Sequence, residues 1–358
     1  MNKLSAKHFL LFILGVTFIS YKTYTSLFIE LGGRDTWICF ILSFIIFALF
    51  VLFISSSIDS RTPCDINHIF IAGLPKFIGN TLLLLFSIGL FISALEATAV
   101  EVNVLKISFF NETPAWYIMF FFLLPSIFLL NKKFEALLNF IIISVSFIIL
   151  NSFIFTLIIE KYKNIDYILP VLGPGLTPSF FYCSIIILGS LSAFSIALPY
   201  IKYITKPSKI KKHTFIAILI IGGICLYSTI GLISTFGPLR AANIFYPEHI
   251  QGQRVQIGGF LDFGELFFLF QTVIGFFVKY IISSYGIFII YEKYIKNKKY
   301  VILFYSIIVF ILSNFIGCNN YVLFKLLDYY QVINIILFII IPLIAIITFN
   351  MKIKNKQT

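Results

Sequence analysis

Long apolar runs follow one another along this chain with little alternation, and that pattern leaves few folds open. Stretches near the roughly 20 residues needed to cross the hydrocarbon core of a bilayer fall at 9–30, 36–56, 79–106, 114–131, 134–159, 179–201, 213–236, 264–291, 298–316 and 331–350. Continuous runs exclude a transmembrane barrel, whose strands alternate polar and apolar residues. Only 12% of the residues are charged, against about 25% in a soluble domain. The expectation is an all-α integral membrane protein with ten transmembrane helices, forming a single transmembrane domain over 1–358. The first run has no small-residue cleavage site and leads straight into a second, so it reads as a mature helix.

A net charge of +12 raises the possibility of a nucleic-acid partner, but the placement of the charges argues against it. With the N-terminus inside, 18 of the 27 Lys and Arg fall on the cytoplasmic side, among them Lys3, Arg61, Lys206 and Lys356. Seven (Arg34, Lys106, Lys161, Lys163, Arg240, Arg254 and Lys325) fall outside, and Lys22 and Lys279 lie within spans. The positive-inside rule therefore places both termini in the cytoplasm. Cys39, Cys64, Cys183, Cys225 and Cys318 have no metal-ligand spacing and read as small apolar fillers, so neither a metal nor a cofactor is expected. Three longer loops break the pattern, at 57–78, 160–178 and 237–263. The second ends in a run with Pro170, Pro174 and Pro178 that no continuous helix accommodates.

Ten spans divide into two sets of five. Five is odd, so the second set enters the membrane from the opposite side, which is inverted-repeat topology. Repeat one is expected over about 9–159 and repeat two over about 179–350. In such folds the first helix of each half is broken near the midplane. Here those are spans one and six, with the polar run Ser20-Tyr21-Lys22-Thr23-Tyr24-Thr25-Ser26 in one and Leu188-Gly189-Ser190-Leu191-Ser192 in the other.

Lys22, Glu96 and Lys279 are ionisable groups deep in apolar segments, where a charge is costly and calls for a partner. On span eight Gln271, Gly275, Lys279 and Ser283 recur every four positions and share a helical face, which should turn to protein or a cavity. On span three Gly89, Ser93, Glu96 and Asn103 follow similar spacing. Glu30, Glu101 and Glu265 lie near span ends and are expected to reach water. A lysine next to Glu96 reads either as a helix-packing ion pair or as a proton or ligand site. Tyr21 and Tyr24 read as packing or interfacial rings, and the serines as close-packing positions or ligand contacts.

With these spans in place the chain resembles the spore germination permeases, the GerAB/GerKB-type B subunits of bacterial germinant receptors in the amino acid–polyamine–organocation superfamily. The likeness is carried by Gly33-Arg34-Asp35-Thr36-Trp37-Ile38, Glu112-Thr113-Pro114, Ile168-Leu169-Pro170-Val171-Leu172 and Leu198-Pro199-Tyr200. It continues through Phe236-Gly237-Pro238, Phe245-Tyr246-Pro247, Gly259-Phe260-Leu261, Glu265 and Phe268. The chain departs from the family pattern at Ser190, where an acidic residue is common, at Phe18-Ile19-Ser20 and at Phe263. The resemblance implies a LeuT-like fold and nutrient sensing in the inner membrane of the spore. It also implies a receptor A subunit and a C-subunit lipoprotein as partners.

Spans one, three, six and eight surround the ligand cavity in LeuT-like folds. This implies Ser20, Tyr21, Lys22, Thr23, Glu96, Gly189, Ser190 and Ser192 as ligand-binding residues, with an amino acid as the expected germinant and Gly189 and Ser190 leaving room for it. Lys279, with Ser283, is expected where sodium-coupled relatives hold a cation, as a mimic of that ion or a proton site. Lys22 is then expected to pair with Glu96 or with a ligand carboxylate. The rival readings are an amino-acid transporter coupled to protons or cations, and an ion or water conduit. An enzyme is not expected: His8, His68, His213 and His249 form no His-Glu-x-x-His motif, and only Glu96 reads as a deep carboxylate.

Overall fold

The computed structural model describes residues 4–59, 65–205, 209–257, 261–262 and 264–354. The readings that involve Lys3, Arg61, Cys64, Lys206, Gly258-Gly259-Phe260, Phe263 and Lys356 lie outside the described residues. The chain is nearly all helical. The first apolar run is two helices, α1 (Ala6–Lys22) and α2 (Thr25–Gly32), followed by α3 (Thr36–Asp59). The chain turns between α2 and α3 at Gly33, whose φ of 56° lies in the left-handed region that side chains resist. A short α4 (Ile66–Gly73) interrupts what the sequence suggests is a plain loop; Asp65 caps it by accepting the Asn67 N–H.

The long α5 (Lys76–Ser108), α6 (Ala115–Asn131) and α7 (Phe134–Ile159) complete the first half. The loop with the three prolines holds only two 3₁₀ turns, Glu160–Tyr162 and Ile165–Ile168. Thr177 then caps α8 (Pro178–Leu191), which passes without a gap into a 3₁₀ helix, Ser192–Tyr203. This corrects the expected break in span six: the winding tightens at Ser192 and the backbone does not unwind. Ser192 Oγ donates to the Gly189 carbonyl, a bond across three residues that suits the tighter turn.

After α9 (Ile210–Phe236) the 237–263 loop holds α10 (Pro238–Ala242), α11 (Pro247–Gln253) and a pair of two-residue strands, β1 (Gln256–Ile257) with β2 (Leu261–Asp262). Then come α12 (Gly264–Ile290) and α13 (Lys298–Gly317). The last span begins at Asn320, earlier than its most apolar stretch suggests, because Asn319 accepts the Tyr321 and Val322 N–H groups and starts α14 (Asn320–Asn334) there. A π-helical segment, Ile335–Ile340, joins α14 to α15 (Ile341–Lys354).

Eight helical runs among the described residues are long and apolar enough to cross a membrane. The number is below ten because α2 and α3 run together as Thr25–Ile58, while α1 and α6 have 17 residues each. Every residue from Phe12 to Ile29 is buried, so the first helix pair is enclosed on all sides. α1 packs against α7, α8, α9, α12 and the 3₁₀ helix. Trp116, Phe120 and Phe128 of α6 and Phe304 and Phe315 of α13 turn outward, as lipid-facing residues do.

Candidate functional site

The interruption of the first span falls at Thr23 and Tyr24. Lys22 ends α1, Thr25 begins α2, and Tyr24 leaves helical conformation at φ −117°, ψ 43°. The local sequence explains this, because short hydroxyl side chains offer the backbone partners other than the next helical N–H. Ser20 Oγ donates to the Val16 carbonyl at 2.7 Å, Thr23 Oγ1 to Ile19 at 3.2 Å and Thr25 Oγ1 to Lys22 at 2.7 Å. From outside, Ser190 Oγ donates to the Ser20 carbonyl at 2.6 Å, and Ser26 Oγ to the Phe245 carbonyl at 2.9 Å.

Two buried ion pairs stand on either side of this break. The first joins Lys279 of α12 to Glu96 of α5, Nζ to Oε2 at 2.5 Å, with the two side chains 0% and 4% exposed. Tyr24 OH donates to the other Glu96 oxygen at 3.1 Å, and the Lys279 ammonium lies 5.7 Å from the Tyr330 ring centre. Ser93 completes the group through a 2.8 Å hydrogen bond with Tyr330 OH. The second pair is Lys22 with Glu248 of α11, at 3.6 Å. Lys22 also donates to Gln271 Oε1 at 3.2 Å, and that oxygen accepts from Ser152 Oγ at 3.0 Å. Ser228 Oγ donates to Glu248 Oε1 at 2.7 Å, and the Phe18 ring centre is 5.3 Å from the Lys22 ammonium. Burial pushes the Glu248 carboxyl above its ordinary range, while Lys22 and Ser228 act against that rise.

The expected residues divide accordingly. Lys22, Glu96 and Lys279 all sit in these clusters, but Lys22 does not pair with Glu96, because Lys279 already holds that carboxylate. The Lys279 ammonium is directed at α5 and the Tyr330 ring of α14. The span-eight stripe is buried as its spacing implies, with Gly275 against Ile19 and Ser283 Oγ without a hydrogen bond. Ser20, Thr23, Ser190 and Ser192 satisfy backbone carbonyls at or near the two winding changes. Tyr21 OH bonds Thr229 at 2.6 Å and its ring packs on Phe28 and Phe40.

Gly189 does not open space for a ligand. A side chain there would run into the Gln331 backbone of α14, so this glycine permits a close helix crossing. Glu101 is also corrected: it is 2% exposed, because α5 continues to Ser108 and the His249 ring of α11 lies against Phe109 just beyond it. Glu30 is exposed and Glu265 partly so.

Glu248, Tyr24, Ser228 and Ser152 are absent from the sequence-based site. A hydroxyl at each of 24, 152 and 228 is an ordinary feature of membrane helices. Pro247 at the first turn of α11 announces a helix start and nothing about depth.

Two cavities adjoin the site. One of about 560 Å³ opens between α2, α10 and α14, with Ser26, Glu30, Asn243, Phe245, Tyr321 and Phe324 in its walls. Phe245 and Phe324 of its wall stand with ring centres 4.8 Å apart, and Tyr246 OH bonds Asn103 Oδ1 at 2.7 Å. The other cavity, about 170 Å³, is apolar and reaches Glu96 between α5, α13 and α14. Among the described residues no three His, Cys, Asp or Glu side chains gather as a metal site would require.

Multiple apolar helices, with ion pairs enclosed beside an interruption in the first of them, define a multi-pass membrane protein. A family model described as spore germination protein matches residues 8–322, and the chain belongs to that family. No curated protein matches the sequence.

Proposed function

We propose that this protein is the B subunit of a spore nutrient germinant receptor, and that it binds a small germinant, an amino acid, where the first span is broken. The observation that carries the reading is the gap at Thr23 and Tyr24 with an ion pair on each side. Interrupted helices free amide and carbonyl groups for a zwitterion, and buried opposite charges suit its two ends. In this reading the chain is a ten-span, LeuT-like 5+5 inverted repeat in the inner membrane of the spore, with both termini cytoplasmic. It works without catalysis, beside an A subunit and a C-subunit lipoprotein. The outer cavity is the vestibule, and the Phe245 and Phe324 floor shuts it from the site. A receptor needs only unequal affinity for two conformations, so the ligand need not cross.

The test is a thermal-shift screen of the amino acids on the purified chain, followed by flux of the binding amino acid in liposomes. At least one amino acid is expected to stabilise the protein. Lys22→Gln/Glu248→Gln, which removes both charges together, is expected to lose that response. Net flux would favour the transporter coupled to protons or cations, and an unresponsive protein would remove the ligand reading.

A further inference from the structure

The two buried ion pairs are built differently. Lys279 and Glu96 meet at 2.5 Å on two long helices, and Tyr24 holds the second carboxylate oxygen. Lys22 and Glu248 stand 3.6 Å apart, beyond hydrogen-bond length. Glu248 belongs to no long helix: it is carried by the seven-residue α11 in the loop between α9 and α12. A carboxylate delivered by a loop has nevertheless been brought to 5% side-chain exposure beside an ammonium that is 6% exposed. Such a transfer from water is unfavourable unless the opposite charge requires it.

We infer that Glu248 stands in for the carboxylate of the ligand at Lys22, and that a carboxylate-bearing ligand takes the ammonium by displacing Glu248 and freeing α11. This rests on the reading above that the break in the first span holds an amino acid. Like-charge repulsion supports exclusive occupancy. The ligand carboxylate and Glu248 compete for one ammonium, and two carboxylates held side by side away from solvent repel each other whatever the charge at the ligand's other end. A neutral ligand or a simple amine has no such competition to win. Glu96 is held differently: it belongs to the 33-residue α5 and meets Lys279 at 2.5 Å, whereas Glu248, with Ser228 and Lys22 as its partners, rides on the short α11. The segment that carries Glu248 also closes the outer cavity. Phe245 O accepts from Ser26 and Tyr246 OH bonds Asn103, so withdrawal of Glu248 pulls on the floor above the site. Occupancy of Lys22 and opening of the loop are then one equilibrium, read at two places.

The experiment uses the purified full chain, the twenty amino acids, and the carboxamide of whichever amino acid binds. Affinity and amide hydrogen exchange over 243–254 are measured in wild type and Glu248→Gln. Removing the internal competitor is expected to tighten amino-acid binding about 5–150-fold, the ordinary range for coupled sites. It should leave carboxamide binding weak and speed exchange in α11 without ligand. In wild type the amino acid, and not its carboxamide, should speed the same amides. If Glu248→Gln does not accumulate, Glu248→Asp, which retains the charge on a shorter arm, should give a smaller gain in the same direction. Equal amino-acid affinity in wild type and variant, or a carboxamide that binds as well as the acid, overturns this inference while the ligand reading stands. No amino acid binding to either protein removes the ligand reading and this inference together.

Discussion

Replacing Glu96 by Gln tests how the inner ion pair is held. At 2.5 Å and an effective dielectric of about 20, Coulomb attraction between two unit charges is roughly 7 kcal/mol. Removing both groups from water costs several kcal/mol per ion, so the pair as a whole contributes little net stability. Breaking it is a different matter. Glu96→Gln leaves a Lys279 ammonium with 0% side-chain exposure facing a neutral amide and the Tyr330 ring. The expected loss is about 3–5 kcal/mol, the usual result of stranding one buried charge. Lys279→Met in the same chain should recover most of it, because no charge then remains enclosed. The assay is equilibrium unfolding in mixed micelles titrated with SDS, followed by tryptophan fluorescence, on wild type, both single variants and the double variant. A Glu96→Gln protein within about 0.5 kcal/mol of wild type, or a double variant whose loss equals the sum of the singles, would refute the reasoning.

Two further outcomes follow from the packing and from the charges of the outer loop. Gly189→Ala sets a methyl against the Gln331 backbone, which cannot swing aside, so little folded protein is expected on size exclusion; Gly223→Ala, with nothing within 4 Å, should fold normally. His249 lies between Phe109 and Phe268 with Nε2 3.9 Å from Glu265, and burial holds it below its ordinary value while Glu265 acts the other way. Docked α11 therefore favours the neutral ring and released α11 the protonated one. The His249 contribution is full above about pH 6.5 and is lost as pH falls through that value toward the docked one. Neighbouring Glu248 works in the opposite sense, since its raised value lets the docked form keep a proton that a solvated carboxylate gives up. Exchange of the 247–253 amides, corrected for intrinsic rates, should rise between pH 7 and pH 5.5 in wild type and stay flatter in His249→Gln. Identical profiles would contradict the assignment.

The helices were legible because apolar run length is a strong signal in a membrane chain, and nine of the ten expected stretches coincide closely with helical segments. The break at 23–24 was legible too, since Ser20, Thr23 and Thr25 crowd a short stretch with side chains that compete for carbonyls. What escaped was depth and partner choice. The distance along the chain from Lys22 to Glu248 spans six long helices, and a loop that dips inward has the same composition as one that does not. Gly189 was misread because a glycine that admits a ligand and one that admits a neighbouring backbone look alike in sequence. Glu101 reads in sequence as near water because it lies near a span end, whereas in the fold it is buried and the His249 ring of α11 packs on Phe109 beyond it.

The π segment at Ile335–Ile340 lies against the 3₁₀ helix of Ser192–Tyr203, where Ser195 Oγ donates to the Phe338 carbonyl. An under-wound turn amounts to one surplus residue, and each residue of an α-helix advances the azimuth by about 100°. The portion of the final span beyond Ile340 is thereby rotated about its axis relative to a straight continuation of α14. That rotation brings the Phe349 backbone against Gly73 and its ring against His68, so α15 is clamped to the small helix that follows the second span.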